Sequence, residues 1–152
     1  MSQFISEILS NQIIITGAVA WVTSQVLKTI IHLILNKRLV LERLMGDGGM
    51  PSSHSATVTS VAVATGFVCG WDSAMFAIAM FMAFIVMHDA MGVRQETGKQ
   101  AKILNNMMEM FENMQDARLD TEQKLKEFVG HTPMQVLAGF GLGLIVALAM
   151  NL

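Results

Sequence analysis

The run from Gln12 to Leu35 carries one formal charge, Lys28, and this long apolar run limits the fold more than any other feature of the sequence. A helix of that length can cross a hydrocarbon core about 30 Å thick, because each residue adds about 1.5 Å. Three more apolar runs follow, at 52–69, 73–91 and 133–152. The chain of 152 residues is 53% hydrophobic and 14% charged, whereas soluble domains are about one quarter charged. The sequence therefore predicts an all-α integral membrane protein, a single domain over 1–152 with about four transmembrane helices in a bundle.

Short connections and glycine spacing predict how these helices pack. The third run follows the second after only a Gly-Trp-Asp turn at 70–72, which is typical of an antiparallel helical hairpin. In the last run Gly139, Gly143 and Ala147 recur at four-residue spacing, so they share one helix face. Small residues on one face let another helix backbone approach closely in a membrane. We expect this face to be a packing surface.

The polar segment 92–130 separates the third and fourth apolar runs. Its middle has helical periodicity, with apolar and polar residues on opposite sides. The apolar side comprises Ile103, Leu104, Met107, Met108, Phe111 and Met114, and the polar side Glu109, Glu112, Asn113 and Asp116. We expect an amphipathic cytoplasmic helix that rests on the membrane surface or on the bundle. A solvated connector with one apolar face is the alternative.

The distribution of Lys and Arg predicts the orientation in the membrane. These residues accumulate in cytoplasmic loops shorter than about 60 residues. With four spans, loops 36–50 and 92–130 share one side, and they contain nine of the ten Lys and Arg residues. We therefore expect a multi-pass cell-membrane protein with both termini outside and both polar loops in the cytoplasm. A bacterial plasma membrane is the simplest location, and an organelle membrane stays open.

Charge and cysteine content exclude several kinds of partner and structural feature. The net charge of −2, without a basic run, excludes nucleic acid as an expected partner. Cys69 is the lone cysteine, so an internal disulfide is excluded. No Lys or Arg precedes Lys28, so no signal peptide is expected. Because ionisable groups lie at only one end of the predicted spans, they do not mark a path across the bilayer, so a transporter or channel is not expected. A homo-oligomer stays open.

Ionisable side chains gather at one end of the predicted bundle. The cytoplasmic ends of the spans hold all four histidines and three charged residues, namely His32, His54, His88, His131, Lys28, Asp89 and Arg94. Ionisable groups at membrane depth are costly, so their presence indicates a functional site.

The first span also carries a polar stripe. Trp21, Gln25, Lys28 and His32 recur at three- and four-residue spacing, which predicts that they face the bundle interior. Snorkelling of Lys28 to the cytoplasmic interface is the alternative. For His88, the role of a polar residue at a helix end is as good an explanation as a functional role, so we expect substitution of His88 to be tolerated.

The stretch 46–55, Gly-Asp-Gly-Gly-Met-Pro-Ser-Ser-His-Ser, predicts an anion site. Its glycines free the backbone, Pro51 fixes the chain direction, and the serines stand where a helix begins. Helix N-termini present N–H groups and a partial positive charge, so a phosphate would fit beside the imidazole of His54. Alternatively, Ser52 is only an N-cap and His54 only a polar residue at a wet helix end.

Three ordered motifs stand at these predicted membrane ends. They are Met50-Pro51-Ser52-Ser53-His54-Ser55-Ala56, His88-Asp89-Ala90-Met91-Gly92-Val93-Arg94 and Gly130-His131-Thr132-Pro133-Met134-Gln135-Val136-Leu137-Ala138-Gly139, with the Leu104-Asn105 pair between the last two. They resemble the divergent branch of the type 2 phosphatidic acid phosphatase family, which is related to vanadium haloperoxidases. The Pro-Ser-Gly-His and His-x-x-x-Asp motifs of the main branch correspond to 51–54 and 131–135. The resemblance covers nearly the whole chain.

The resemblance implies hydrolysis of a phosphate monoester without a metal or other cofactor. Carried over by position, His131 is the nucleophile that forms a phosphohistidine, and His54 is the general acid that protonates the leaving alkoxide. Ser52 and the backbone N–H of Ser53 would hold phosphoryl oxygens, while Lys28 and Arg94 would offset their charge. The substrate implied is a lipid phosphate, because the site lies at headgroup depth.

The chain departs from the main branch in three places. Lys28 is followed by Lys37 and Arg38 at a longer spacing than in the Lys-x6-Arg-Pro motif of the main branch, and without a proline. Gln135 stands where the charge-relay carboxylate belongs, so Asp89 is the candidate for that carboxylate and Gln135 is kept as a substrate-binding candidate. Leu125 stands where the main branch has an arginine, which makes Arg94 the candidate replacement. The last two departures favour one alternative, a weak or inactive family member that binds anionic lipid or a protein through the same site. A second alternative is a metal site built from His54, His88, Asp89 and His131.

Overall fold

The computed structural model of the chain describes residues 1–37, 49–115 and 131–152. Within these ranges it contains six α-helices and no β-strand. The helices are α1 (Ser2–Ser10), α2 (Gln12–Asn36), α3 (Ser53–Cys69), α4 (Ala74–Met91), α5 (Val93–Gln115) and α6 (Pro133–Asn151). The predicted all-α membrane fold is confirmed, and α2, α3, α4 and α6 correspond to the four apolar runs. Most of the glycine-rich stretch at 46–49 and the second part of the polar segment lie outside the described residues.

Three helical stretches in the described part of the chain are long and apolar enough to cross a membrane. They are Gln12–Leu35, Ala74–Met110, which joins α4 to α5, and Pro133–Asn151. Helix α3 has 17 residues, or about 26 Å. It contacts α2, α4 and α6 and so occupies the centre of the bundle.

Small side chains allow the other helices to approach α3 closely. Ala56, Ser60 and Ala64 on this helix are fully buried. Its hydroxyls bond to carbonyls about one turn earlier, as Ser60 Oγ does to the carbonyl oxygen of Thr57 at 2.9 Å. Such bonds satisfy buried hydroxyls within their own helix. Association of helices in lipid depends on close contact between surfaces, which these small residues provide.

The two glycines predicted to form a packing face on α6 lie directly against α3. A Cβ atom added at Gly139 would meet the Ser52 carbonyl oxygen and approach Ser55 Cβ to 2.9 Å. One added at Gly143 would come within 2.5 Å of the Ala56 carbonyl oxygen. The predicted packing role of these glycines is therefore confirmed, and the neighbour that they approach is the beginning of α3.

Helices α3 and α4 form the predicted antiparallel hairpin. Gly70 follows α3 with φ of 93°, a conformation that favours glycine. Ser73 then caps α4 by accepting a hydrogen bond from the backbone N–H of Phe76 at 3.1 Å. Trp71 lies against Gly66, where a side chain would collide with the indole ring.

Helix α2 packs on α3 and also contacts α6. Gln12 Nε2 donates to the carbonyl oxygen of Met150 at 2.8 Å, which joins the end of the bundle opposite the histidines. The fully buried residues of α2 are Thr16, Ala20 and Ser24. Their four-residue spacing leads directly to Lys28, so a small-residue face brings this lysine to the interior.

The predicted polar stripe on α2 is correct at Gln25 and Lys28 and wrong at Trp21. Both polar side chains are buried and His32 is half-buried, but Trp21 is 41% exposed. Trp21 lies about 100° around the helix from Ala20, which occupies the close contact with the bundle. A bulky indole does not fit on this small-residue face, so it lies on the outer surface.

The helix predicted for the middle of the polar segment is confirmed by α5, and Asp116 lies outside the described residues. Ile103, Leu104 and Met107 are exposed within the described structure, whereas Ala101 and Asn105 are buried. The apolar side is therefore not packed onto the described part of the bundle. An exposed apolar face agrees with a position on the membrane surface, which stays a prediction.

The glycine contacts predict a position-specific effect of adding one methyl group. Gly143→Ala should lower the melting temperature in detergent by roughly 3–10 °C, because overpacking against a backbone costs about 1–3 kcal/mol. Gly141→Ala is the matched control, since nothing lies within 4 Å of its added Cβ. We expect Gly141→Ala to be neutral or stabilising, since alanine is the better helix former. Equal melting temperatures for the two variants would contradict the described α3–α6 packing.

Candidate functional site

Two backbone hydrogen bonds bring three helix ends together. The N–H of Ser52, just before α3, donates to the Gln135 carbonyl oxygen in α6 at 3.0 Å. The N–H of His131, just before α6, donates to the Ala90 carbonyl oxygen at the end of α4 at 2.9 Å. The three motifs found in the sequence therefore meet at one end of the bundle.

His54 and His131 are neighbours at this end. Their ring centroids lie 5.9 Å apart and their planes are inclined by 56°, so the rings are adjacent without being stacked. His131 is 3% exposed, and His54 is half-buried. The two candidate catalytic imidazoles thus come from different helix ends and lie side by side.

Gln135 determines which nitrogen of His131 carries the proton. Gln135 Oε1 accepts from the Thr132 backbone N–H at 3.1 Å, as part of a capping box at the start of α6. Because a backbone N–H can only donate, this bond identifies the amide oxygen. His131 Nδ1 lies 3.3 Å from the same oxygen, so Nδ1 must donate as well. In a neutral imidazole the other nitrogen, Nε2, then carries the lone pair.

Lys28 lies inside the bundle beside the start of α3. Its Nζ donates to Ser53 Oγ at 3.0 Å, and the residue is 5% exposed. The snorkelling alternative is therefore wrong, because the amino group points into the site and not to an interface. Ser53 and His54 are the first two residues of α3, where backbone N–H groups have no acceptor within the helix. One cationic group, one hydroxyl and the N-terminus of a helix thus share this location.

Ser52 is the N-cap of α3, which was the alternative to a phosphate-binding role for this residue. Its Oγ accepts from the Ser55 backbone N–H at 3.3 Å and from Ser55 Oγ at 3.0 Å. Both serines are fully buried. Contact of Ser52 with a phosphoryl group stays a prediction.

The remaining ionisable residues lie around the ends of α2, α4 and α5. His88 stacks on Phe84 with a centroid distance of 6.2 Å and is exposed. Asp89 is half-buried and lines a shallow pocket with His88 and Val93. Arg94 is the second residue of α5, and its side chain lies outside the described structure. The roles of Asp89 and Arg94 stay predictions.

The metal-site alternative requires several ligands in one cluster. In residues 1–37, 49–115 and 131–152 no group of three His, Cys, Asp or Glu side chains could hold a metal ion. The proposed set of His54, His88, Asp89 and His131 is thus not assembled as one cluster in this part of the structure.

Sequence reasoning missed two features of the site. The carbonyl of Ala90 holds the backbone of His131, and no side-chain pattern marks such a contact. Gln25 is buried one turn before Lys28, and its Oε1 has no hydrogen-bond partner among the described residues. Its place on the polar stripe indicated an interior position but not this unsatisfied oxygen.

The fold and the site define a helical membrane protein with a paired-histidine site at one end of its bundle. The chain belongs to the divergent PAP2 family, whose family model matches residues 9–146. It is also 34% identical over 152 residues to a Bacillus subtilis (strain 168) protein named "Uncharacterized membrane protein YuiD". That alignment covers 95% of this chain and 96% of the relative. No solved structure matches the chain. The resemblance predicted from the three motifs is confirmed.

Proposed function

We propose that this protein is a membrane phosphomonoesterase that hydrolyses a lipid phosphate through a phosphohistidine on His131. The observation that carries the proposal is the pairing of His54 with His131, in which Gln135 directs the Nε2 lone pair of His131 away from its own helix cap. Family membership supports a phosphatase-related role.

The reaction needs two balanced steps. First, His131 Nε2 attacks phosphorus, the bond from phosphorus to the alkoxide oxygen breaks, and protonated His54 gives its proton to that oxygen. The alcohol leaves and a phosphohistidine remains. Second, neutral His54 takes a proton from water, whose oxygen attacks phosphorus and breaks the P–N bond. Inorganic phosphate leaves, and both histidines return to their starting states.

The residues around the histidine pair suit the charge of a phosphoryl group. Lys28 supplies a positive charge, the Ser53 hydroxyl and the first N–H groups of α3 supply donors, and the helix dipole favours an anion. Donors fixed in position before the reaction stabilise developing charge at little reorganisation cost. In this proposal Arg94 adds a second positive charge, and Asp89 supports the histidines with a carboxylate.

Gln135 also favours a second candidate function, which is binding of an anionic headgroup without turnover. The amide oxygen orients the His131 ring but adds no negative charge to stabilise the imidazolium that forms during attack. An inactive site would still hold the cationic and N–H groups that recognise phosphate. The same assay separates the two functions.

The first prediction of this proposal is that turnover depends on both paired histidines. Detergent-purified protein without added metal should release phosphate from phosphatidic acid, phosphatidylglycerol phosphate or a polyprenyl phosphate. We expect His131→Ala to reduce release to background, and His54→Ala to reduce it by about 100- to 10,000-fold, the usual contribution of a general acid. Vanadate, which resembles the phosphoryl transition state, should inhibit the wild type.

His88→Ala is the matched control for these two variants. It removes a histidine at the same end of the bundle, but an exposed one that stacks on Phe84. Its rate should remain within about twofold of wild type, because it lies outside the pair. A folded wild-type protein that releases no phosphate from any of the three substrates would support headgroup binding instead. Full activity of His131→Ala would contradict the phosphohistidine mechanism.

The second prediction is that Gln135→Glu increases the rate of phosphate release. Glutamate is the usual capping-box residue, so the bond to Thr132 should remain. A charge-assisted hydrogen bond to Nδ1 is stronger by about 1.4 kcal/mol, which corresponds to roughly tenfold in rate if it acts in the transition state. Gln100→Glu, an exposed position on α5, adds the same charge elsewhere and should change nothing. An unchanged rate in a folded Gln135→Glu protein would show that the neutral amide is not limiting.

The third prediction concerns orientation in the membrane. We propose that the histidine pair lies on the cytoplasmic side and that both termini lie outside. Cys69 is exposed at the end of α3 opposite the histidine pair. A membrane-impermeant maleimide should therefore label wild-type protein in intact cells. In Cys69→Ala/Lys99→Cys, which moves the thiol to exposed α5, labelling should need permeabilised cells. The reverse pattern would place the site outside.

A further inference from the structure

Below the histidine pair, a cavity of about 310 Å³ lies between α3, α4 and α6. Apart from Thr59 its lining is apolar, and it includes Trp71, Ala83, Met87 and Leu144. We propose that this cavity binds one hydrocarbon chain of the lipid whose phosphate occupies the site above it. The inference rests on the proposed function and adds where and how the lipid tail is held.

The chemistry of the lining selects an apolar ligand. Thr59 is its one hydroxyl-bearing residue, and Thr59 Oγ1 already contacts Met87 Sδ at 4.0 Å. A water needs about two to four polar partners, which this lining does not offer. The volume is about twice that of a 150 Å³ apolar cavity that binds benzene, so a chain segment of roughly a dozen carbon atoms fits.

The cavity begins close to the site. Thr59 follows His54 by five residues, or about 7.5 Å along α3. Met87 lies three residues before Ala90, whose carbonyl oxygen accepts from the His131 backbone N–H. The contact between Thr59 and Met87 forms the rim nearest to the histidines. Methionine is unbranched and adaptable, so this rim can accommodate a chain that passes from the headgroup to the cavity.

An aromatic cluster closes the far end. Trp71 packs edge-to-face on Phe67 and on Phe76, with centroid distances of 5.1 and 5.0 Å. Gly66 lies against the indole ring, and it follows His54 by about 18 Å along α3. Trp71 thus forms the floor of the cavity at the end of α3 remote from the histidines.

The size of the cavity argues against a helix from a second copy of the protein. One helical turn, about 10 Å across and 5.4 Å long, occupies roughly 400 Å³ and exceeds the space available. Met80, Phe84 and Phe140 line the cavity and are also exposed on the bundle surface. The cavity therefore has a side open to lipid, where hydrocarbon is the surrounding medium.

Quenching of Trp71 fluorescence tests chain binding without needing catalysis. In a Trp21→Phe background Trp71 is the single tryptophan. The protein is placed in nanodiscs with phosphatidic acid that carries a 9,10-dibromostearoyl chain, or with phosphatidylcholine that carries the same chain. We expect stronger quenching by the phosphatidic acid, because the phosphate site concentrates its chain above Trp71.

Filling the cavity should remove this difference. Ala83→Phe places a ring in the cavity, whereas Ala77→Phe makes the same change at an exposed position on α4 that does not line it. The excess quenching should fall by at least half in Ala83→Phe and persist in Ala77→Phe. If Ala83→Phe does not fold, Leu144→Phe fills the cavity from α6 and should have the same effect.

A hydrolysis measurement separates failure of this inference from failure of the proposed function. In Ala83→Phe, kcat/KM for long-chain phosphatidic acid should fall about tenfold or more, with butyl phosphate hydrolysed at the wild-type rate. Equal quenching by the two lipids, or excess quenching that survives in folded cavity-filling variants, would overturn the chain site even if phosphate is released. Excess quenching that Ala83→Phe removes, in a protein that releases no phosphate, would support the chain site and overturn the phosphatase.

Discussion

The close approach of α6 to the beginning of α3 is the contact on which the rest of the structure depends. Gly139 and Gly143 place the α6 backbone against the carbonyls of Ser52 and Ala56. At that distance the Ser52 N–H reaches the Gln135 carbonyl, and His131 is held beside His54. In a bilayer, where apolar side chains gain little by leaving lipid, such backbone proximity is a main source of specificity. The histidine pair is therefore a product of helix packing.

Gln135 separates two tasks that one carboxylate usually performs. Its oxygen fixes the His131 tautomer because Thr132 holds that oxygen in place, so orientation is achieved without charge. Stabilisation of a developing imidazolium must come from elsewhere. In the proposed mechanism Lys28 and the first turn of α3 serve the phosphoryl oxygens, and Asp89 is the candidate for stabilising the imidazolium. In that mechanism the cationic and N–H groups serve the phosphate, and the Gln135 amide only orients the His131 ring.

Much of this arrangement could be predicted from the sequence, because run length, short turns and glycine spacing each correspond to one physical requirement. The hairpin, the glycine face and the gathering of histidines at one end follow from those signals. Trp21 was misplaced because periodicity reports angular position and not the available space beside Ala20. The exposed apolar face of α5 depends on surroundings that periodicity does not describe. The Ala90 carbonyl could not be found, since a backbone acceptor has no sequence signal.

Helices α2, α3 and α6 contact one another and form a closed triangle, which the Gln12 to Met150 bond joins at its far end. Lys28 lies on α2, His54 lies in the first turn of α3, and His131 stands two residues before α6. Helix α4 packs chiefly on α3, and its Ala90 carbonyl oxygen accepts from the His131 backbone N–H. A rigid-body shift of α4 would change the width of the cavity and would also move the Ala90 carbonyl that holds the His131 backbone. Movement of this one helix would thus couple the width of the cavity to the position of His131.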